Sequence, residues 1–422
     1  MSQWLANVLD RASTVNDWLS PVRQTALATL REQAWPTRRT EAWRYTSLHE
    51  VAELELAQAN SAQSTVNAEA PAIEGLNSLD LVFVDAQPVT DFSKLILPEG
   101  VTVTSLHGVN ADQQARISKI FNQAKPTHHL FGLVNDVLAE QGVVIDVAAG
   151  AEIEQPIRIV NFVTDGVESH HRVLVNVGDN AKVTVIEHGA GNGHSMNTAY
   201  AEYVLGSETK LEHYRFAMHG QEAIHMGGSH FKLGEHSRLN STIVGYGSRL
   251  TRIDTDVIHA AEHAFAKMNC IYLLAPKEHF DLHTTIEHAK PNGTSEENAR
   301  GIVGDKAKAI FNGRIHIHRD AQKTLAELNN RNLLLSRGGQ INTKPELEIY
   351  ADDVQCAHGA TVAEIAEEEL YYLQTRGIPR SQALVMLNFG FVQELVNQMP
   401  NKALSTWLQP LLRERFSAME TK

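Results

Sequence analysis

The segment Cys356-Ala357-His358-Gly359 carries the most suggestive pair of side chains in the sequence. Residues two apart on an extended chain project to the same side. A thiol and an imidazole there would face one ligand together, with Gly359 letting the backbone turn away. A buried structural cysteine beside a surface histidine would show the same spacing. Two donors cannot close an iron or zinc site, for which about four are usual. A working site therefore needs ligands from elsewhere, such as another subunit. Cys270, the second cysteine, lies in an alternating apolar run without a surrounding motif and reads as a buried structural thiol.

With 21 histidines, some pairs fall at ligand spacing by chance. His316 and His318 share one face of an extended segment, and the plain reading is a solvated strand face. His259 with His263 and His283 with His288 carry equally weak signals. None has a nearby cysteine or the glutamate of an HExxH motif. Phosphate-loop and nucleophile-elbow signatures are absent. Gly189-Ala190-Gly191-Asn192-Gly193 lacks the third glycine at dinucleotide spacing and reads as a loop. Any nucleotide chemistry thus falls to another chain.

The 422 residues allow roughly two or three domains. At 43% hydrophobic and 21% charged the chain is an ordinary globular one, which sets aside disorder. A net charge of −13 argues against nucleic acid, because basic pairs such as Arg38-Arg39 are diluted by acids. Two cysteines exclude a disulfide framework and fit a reducing cytoplasm. No basic leader opens the sequence, and no run approaches the roughly 18 apolar residues of a membrane span. Neither export nor insertion is expected.

Positioning elements follow from periodicity. Ser20-Pro21 starts a helix that stops before Pro36, Leu79–Val84 is a strand, and 111–122 is helical. The polar stretch 57–75 reads as a loop or linker. From about Val143 a spaced repeat appears: Val147-AAGAE-Ile153, Val177-GDNAK-Val183, Leu205-GSETK-Leu211 and Leu233-GEHSR-Leu239. A degenerate fifth copy ends at Phe265. Gly150, Gly178, Gly206 and Gly234 supply cheap positive φ in the bends. A period near 28 is too short for a βαβ unit, so a parallel β-solenoid is the economical solution, with an evenly spaced β-sandwich as the alternative. Past Gly359 the pattern turns helical. Leu384, Leu387, Phe391 and Leu395 form one stripe; Leu404, Trp407, Leu408, Leu411 and Leu412 form another. Such helices can cap a solenoid's open edge or carry a partner.

The run Thr343–Val362, which contains Cys356-Ala-His358-Gly-Ala-Thr, closely resembles the signature of the SufB/SufD family of iron–sulfur cluster assembly proteins. Pro36–Thr46 is similar to the N-terminal signature of its SufD branch. Leu81–Asp85, Ala309–Gly313, Asn332–Ser336 and Tyr372–Gly377 follow in family order. Ala363 departs from the usual glycine. The resemblance implies a mainly β fold, a right-handed parallel β-helix at 126–355 between a mixed, mainly helical region at 1–125 and a helical region at 356–422. It implies a non-enzymatic scaffold that pairs with SufB and the ATPase SufC. The transient iron–sulfur cluster would be shared with SufB through His358 and Cys356. The ATPase would dock on the C-terminal helices, at the stripe Leu384, Leu387, Phe391, Leu395 and at Trp407. Nothing in the sequence supports a flavin. Alternatives are a structural homodimer through the same edge, or a carbohydrate-active β-helix enzyme, for which the adjacent Asp352 and Asp353 point to opposite faces.

Overall fold

Short alternating runs that each bury one face, separated by bends, can satisfy their backbone only by pairing with the next copy of themselves. The computed structural model, which describes residues 2–59 and 68–419, shows this outcome. Successive strands alternate between two sheets, so each coil adds one strand to each, as with Lys182–Gly191, Met196–Leu205, Lys210–His219 and Ile224–Leu233. Both sheets have ten strands among the described residues and are parallel apart from their first pairings. Sheet A ends at Gln340–Ile349 and sheet B at Val354–Glu364.

The repeat stacks in register. Val177 pairs with Val147 and Leu205, and Leu211 pairs with Val183 and Leu239. The fifth copy is offset by one, because Leu239 pairs with Ala266 and Phe265 pairs with Arg238. Stacking builds interior columns such as Ile145, Val175, Tyr203, Phe231, Val257, Ile286 and Ile315. Each such side chain contributes roughly 1.5–3 kcal/mol on burial.

The bend glycines work differently from the expectation. Only Gly150 has positive φ, at 74°. In the next three copies the left-handed position is taken by Asn180, Glu208 and His236, two residues past the glycine. Gly178 and Gly234 are required by close stacking. A Cβ at Gly178 would lie 2.6 Å from the Ala149 nitrogen, and one at Gly234 would lie 2.5 Å from the Gly206 oxygen.

Flanking regions cover the outer faces. Helices Gln3–Ala12, Ser20–Glu32 and Leu130–Leu138 lie on sheet A, with Trp4, Val8, Phe131 and Val134 against Tyr200, Met226 and Leu250. The Trp4 indole donates to Glu168 at 2.9 Å. Helices Arg380–Asn397 and Lys402–Met419 lie along sheet B, with Val392, Leu395, Leu408 and Phe416 against Phe216, Ile271 and Leu273. They flank the solenoid and leave its last coil uncapped.

Three local expectations are corrected. The helix expected over 111–122 stops at Ile117, and Asn122 is left-handed with φ 55°. Gly189–Gly191 completes the strand Lys182–Gly191 and is not a loop. Within the stretch read as linker, Ala57–Gln58 pairs with Val167–Glu168, while Asn60, Ser61, Gln63 and Ser64 lie outside the described residues.

The two ends of the solenoid differ. At the first, Val101–Ser105 runs antiparallel to Gln141–Val147, Gln87–Pro88 folds back on Leu79–Val84, and Phe92 and Leu95 pack on the core. At the other, Gln340–Ile349 and Val354–Glu364 each have a strand neighbour on one side only. The boundary drawn between 355 and 356 falls inside this last strand, so Cys356 and His358 stand on the solenoid itself.

Candidate functional site at the open end

Val354–Glu364 pairs with Thr324–Leu334, placing Cys356 over Ala326 and His358 over Leu328. Ala326 and Leu328 are core residues, 0% and 2% exposed. Alternation therefore puts the thiol and the imidazole in the row that continues the lumen, as their spacing required. Cys356 packs partly on the core and His358 is exposed, because no further coil covers them. Burial pushes the Cys356 thiol up, opposed in part by a backbone hydrogen bond with Ala326. The isolated chain thus presents a thiol, and a bound metal would have to displace its proton.

Across the mouth, Ile341 and Leu347 of Gln340–Ile349 also pack on the core. A polar network ties the two walls. The Thr343 hydroxyl donates to Asn330 Oδ1 at 2.8 Å, and Asn330 Nδ2 donates to the Tyr272 hydroxyl at 3.0 Å. Asn332 Nδ2 donates to Asn330 Oδ1 at 2.6 Å and to the Thr361 carbonyl at 3.3 Å. The rim is held from below, which fixes where Cys356 and His358 emerge. Among the described residues, no third His, Cys, Asp or Glu completes a ligand set with them. The donors present fit part of an iron–sulfur cluster's ligation, with the rest to come from outside.

One interior row runs Met268, Glu297, Leu328 and His358. Glu297 is 1% exposed, and its Oε1 accepts from the Thr284 hydroxyl at 2.7 Å while Oε2 has no partner. Burial pushes its carboxyl up to about 7. Two coils below the mouth, the lumen thus holds a carboxyl that titrates near neutral pH and keeps its proton below it.

Of the other sequence candidates, His316 and His318 stay together, ring centroids 4.6 Å apart, while the remaining two pairs separate. His316 meets Glu348 at 2.9 Å and His318 meets Glu287 at 2.6 Å, both between neighbouring coils. His259 is buried, whereas His263 stacks on His236 in a bend. His283 meets Asp281 at 2.9 Å, while His288 contacts Ser295 at 2.9 Å. Cys270 is buried and its thiol is pushed well up by burial. On the C-terminal helices Leu395 is buried, and Leu384, Leu387, Phe391 and Trp407 are half-buried. The Trp407 ring packs on Phe216, centroids 5.1 Å apart, and on His188, 5.6 Å apart. Tyr371 and Tyr372, on the preceding helix Glu367–Thr375, and Met386 are exposed.

Sequence reasoning missed a groove between the N-terminal region and sheet A, lined by His129 from the helical side and by Asp254 and Asp256 from the sheet. Its signals were the alternation Asp254-Thr255-Asp256 and the pair His128-His129 before a helix.

Fold and site together define a parallel β-solenoid protein whose metal-capable side chains stand at an uncapped end of the coil. The family model described as "SUF system FeS cluster assembly, SufBD core domain" matches residues 161–391, and "SufBD protein N-terminal region" matches 6–159. The chain belongs to the SufBD family of SUF-system iron–sulfur cluster assembly proteins. It is 30% identical over 405 residues to the iron–sulfur cluster assembly protein SufD of Escherichia coli (strain K12), covering 94% of this chain and 93% of that one. A SufBD family protein of Synechocystis is 28% identical, with 90% and 88% coverage. The chloroplastic protein ABCI7 of Arabidopsis thaliana is 26% identical, with 92% and 84% coverage. None of the described helices is long and apolar enough to cross a membrane.

Proposed function

We propose that this chain is a non-catalytic scaffold subunit that meets a SufB-like sister at the open end and holds a nascent cluster there. The observation that carries this reading is the pairing of Cys356 and His358 on a terminal strand with one free edge, with no third ligand among the described residues. An unsatisfied strand edge seeks another chain, and half a ligand set seeks the other half. Similarity to a protein named SufB in Bacillus subtilis, over 65% of this chain, supports a sister of the same architecture. Two copies of this chain could meet through the same edge, so a homodimer is the form expected of the isolated protein. A SufC-type ATPase would dock on the C-terminal helices and drive assembly by conformational work. Exposed Tyr371, Tyr372 and Met386 support that surface.

Co-expression with the SufB-like and ATPase partners, followed by anaerobic reconstitution, tests the reading. His358→Ala should leave the complex associated and abolish cluster formation, with Cys356→Ser doing less harm. Clusters formed by His358→Ala complexes at the wild-type rate would refute it. So would a chelator-resistant cluster on the isolated monomer.

A further inference from the structure

The groove on sheet A, about 330 Å³, is lined by His129, Asp254 and Asp256 and reaches Lys344, Glu346 and Glu348 of Gln340–Ile349, and His230 is buried beside Asp256. His129 occupies the N-cap position of Leu130–Leu138, while His230 and Asp256 are register partners on Ile224–Leu233 and Leu250–His259. His129 Nε2 and His230 Nδ1 lie 2.9 and 2.8 Å from the same oxygen, Asp256 Oδ2. One donor atom from each of the three residues falls within 4.8 Å of the others. Metal–ligand bonds of about 2.0–2.1 Å put neighbouring donors about 3 Å apart.

The charge balance points the same way. Asp256 is 5% exposed, and its ion-pair partners among the described residues are these two histidines. Arg252 is committed to Asp254 at 2.8 Å and to Asp281 at 3.0 Å. No guanidinium or ammonium pairs with Asp256 among the described residues, so the two imidazoles alone meet its buried charge, a role a bound cation would share.

Surrounding groups hold the donors in place. Asp254 Oδ1 stands 3.9 Å from His129 Nδ1, the ring nitrogen not used on Asp256. At that distance Asp254 is an electrostatic neighbour of the imidazole and accepts its hydrogen bonds from Arg252. His230 stacks on Tyr200, centroids 5.8 Å apart and planes within 4°. Gly228 makes room for that ring, since a Cβ there would lie 2.7 Å from His230 Nε2.

We propose that His129, His230 and Asp256 bind a divalent first-row transition metal, with Fe(II) the ion that two imidazoles, one carboxylate and open groove-facing positions suit. Calcium and magnesium prefer all-oxygen shells, whereas two imidazoles and one carboxylate are the donor set of mononuclear Fe(II) centres and of catalytic zinc sites, which the competition below separates. The site is independent of the cluster reading. His230 stands on a strand four steps from the open-end strand Gln340–Ile349 of the same sheet.

The test is anaerobic titration of the metal-stripped full-length protein with Co(II), followed by visible absorption, with Fe(II) and Zn(II) as competitors. Wild type should bind one equivalent, and Cys356→Ser/His358→Ala should bind it equally. His230→Gln, Asp256→Asn and His129→Asn should each lose more than the roughly tenfold that even outer partners cost. His129 comes from the groove's N-terminal rim and outside the sheet, so His129→Asn decides the matter if a strand variant misfolds. Absence of stoichiometric cobalt binding, wild-type affinity in folded His129→Asn, or binding lost with Cys356 and His358 alone would overturn the proposal.

Discussion

Glu297→Gln isolates the energetic cost of a carboxyl sealed in the lumen. The Glu297 pKa rises from its ordinary 4.5 to about 7 because burial disfavours the charge, and the Thr284 hydroxyl offsets little of it. A raised carboxyl pKa means that the folded state holds its proton more tightly than the unfolded one. Its contribution is therefore most favourable below pH 4.5 and is lost as pH rises through 7. One pKa unit corresponds to about 1.4 kcal/mol, so the chain should lose about 2.5 kcal/mol from this group between pH 5 and pH 8. A glutamine keeps the acceptor for Thr284 and cannot ionise. Urea unfolding of both proteins at pH 5 and pH 8, followed by circular dichroism, gives the two pH dependences. Other titrating groups are common to both and cancel in the comparison. The variant should fall less steeply than wild type by about 2.5 kcal/mol, with an unchanged urea slope. Parallel pH profiles would refute the reasoning and mean that water or a cation reaches Glu297.

Gly234→Ala should destabilise by about 1–3 kcal/mol through overpacking of backbone on backbone, read as a lower urea midpoint. Glu168 is held down to about 2 by His170 and Arg11 against the opposing effect of burial, so it stabilises the fold above pH 4.5 and loses that contribution as pH falls towards 2. Glu168→Gln should accordingly flatten the acid limb and cost roughly 3 kcal/mol at pH 7, measured by the same unfolding. Trp407→Ala should lower the unfolding temperature, at a cost of about 3–5 kcal/mol, because its ring is packed on Phe216. Tyr371→Ala should instead leave the unfolding temperature unchanged and weaken ATPase binding in calorimetry by about tenfold or more.

The solenoid was legible because its repeat is written in apolar residues that pair with one another, Val147 through Leu239, and local spacing states that directly. The shared side of Cys356 and His358 was legible for the same reason, since strand alternation depends on nothing distant. The left-handed bends at Asn180, Glu208 and His236 were not, because the neighbouring glycines answer the stacking distance between coils and carry no φ signal. On Arg380–Asn397 the buried residues are Ala383, Asn388, Val392, Leu395 and Val396, since the helix meets both its neighbour and sheet B. Hydrophobic spacing alone weighed Leu384 and Leu387 equally with Leu395. The groove of His129, His230 and Asp256 joins residues more than 100 positions apart, which only the folded register brings together.

The two ends of the solenoid offer unlike edges to a newcomer. Strand edges that repeat at both ends of a stack permit indefinite growth into fibres. Here the first end finishes on strands of reversed direction, Val101–Ser105 and Gln87–Pro88, whereas Gln340–Ile349 and Val354–Glu364 continue the parallel stack. End-to-end stacking of identical coils would therefore meet a reversed, shortened strand at every junction. The polarity of the coil makes its two edges chemically different surfaces, and only the later one repeats the geometry of the strands beneath it.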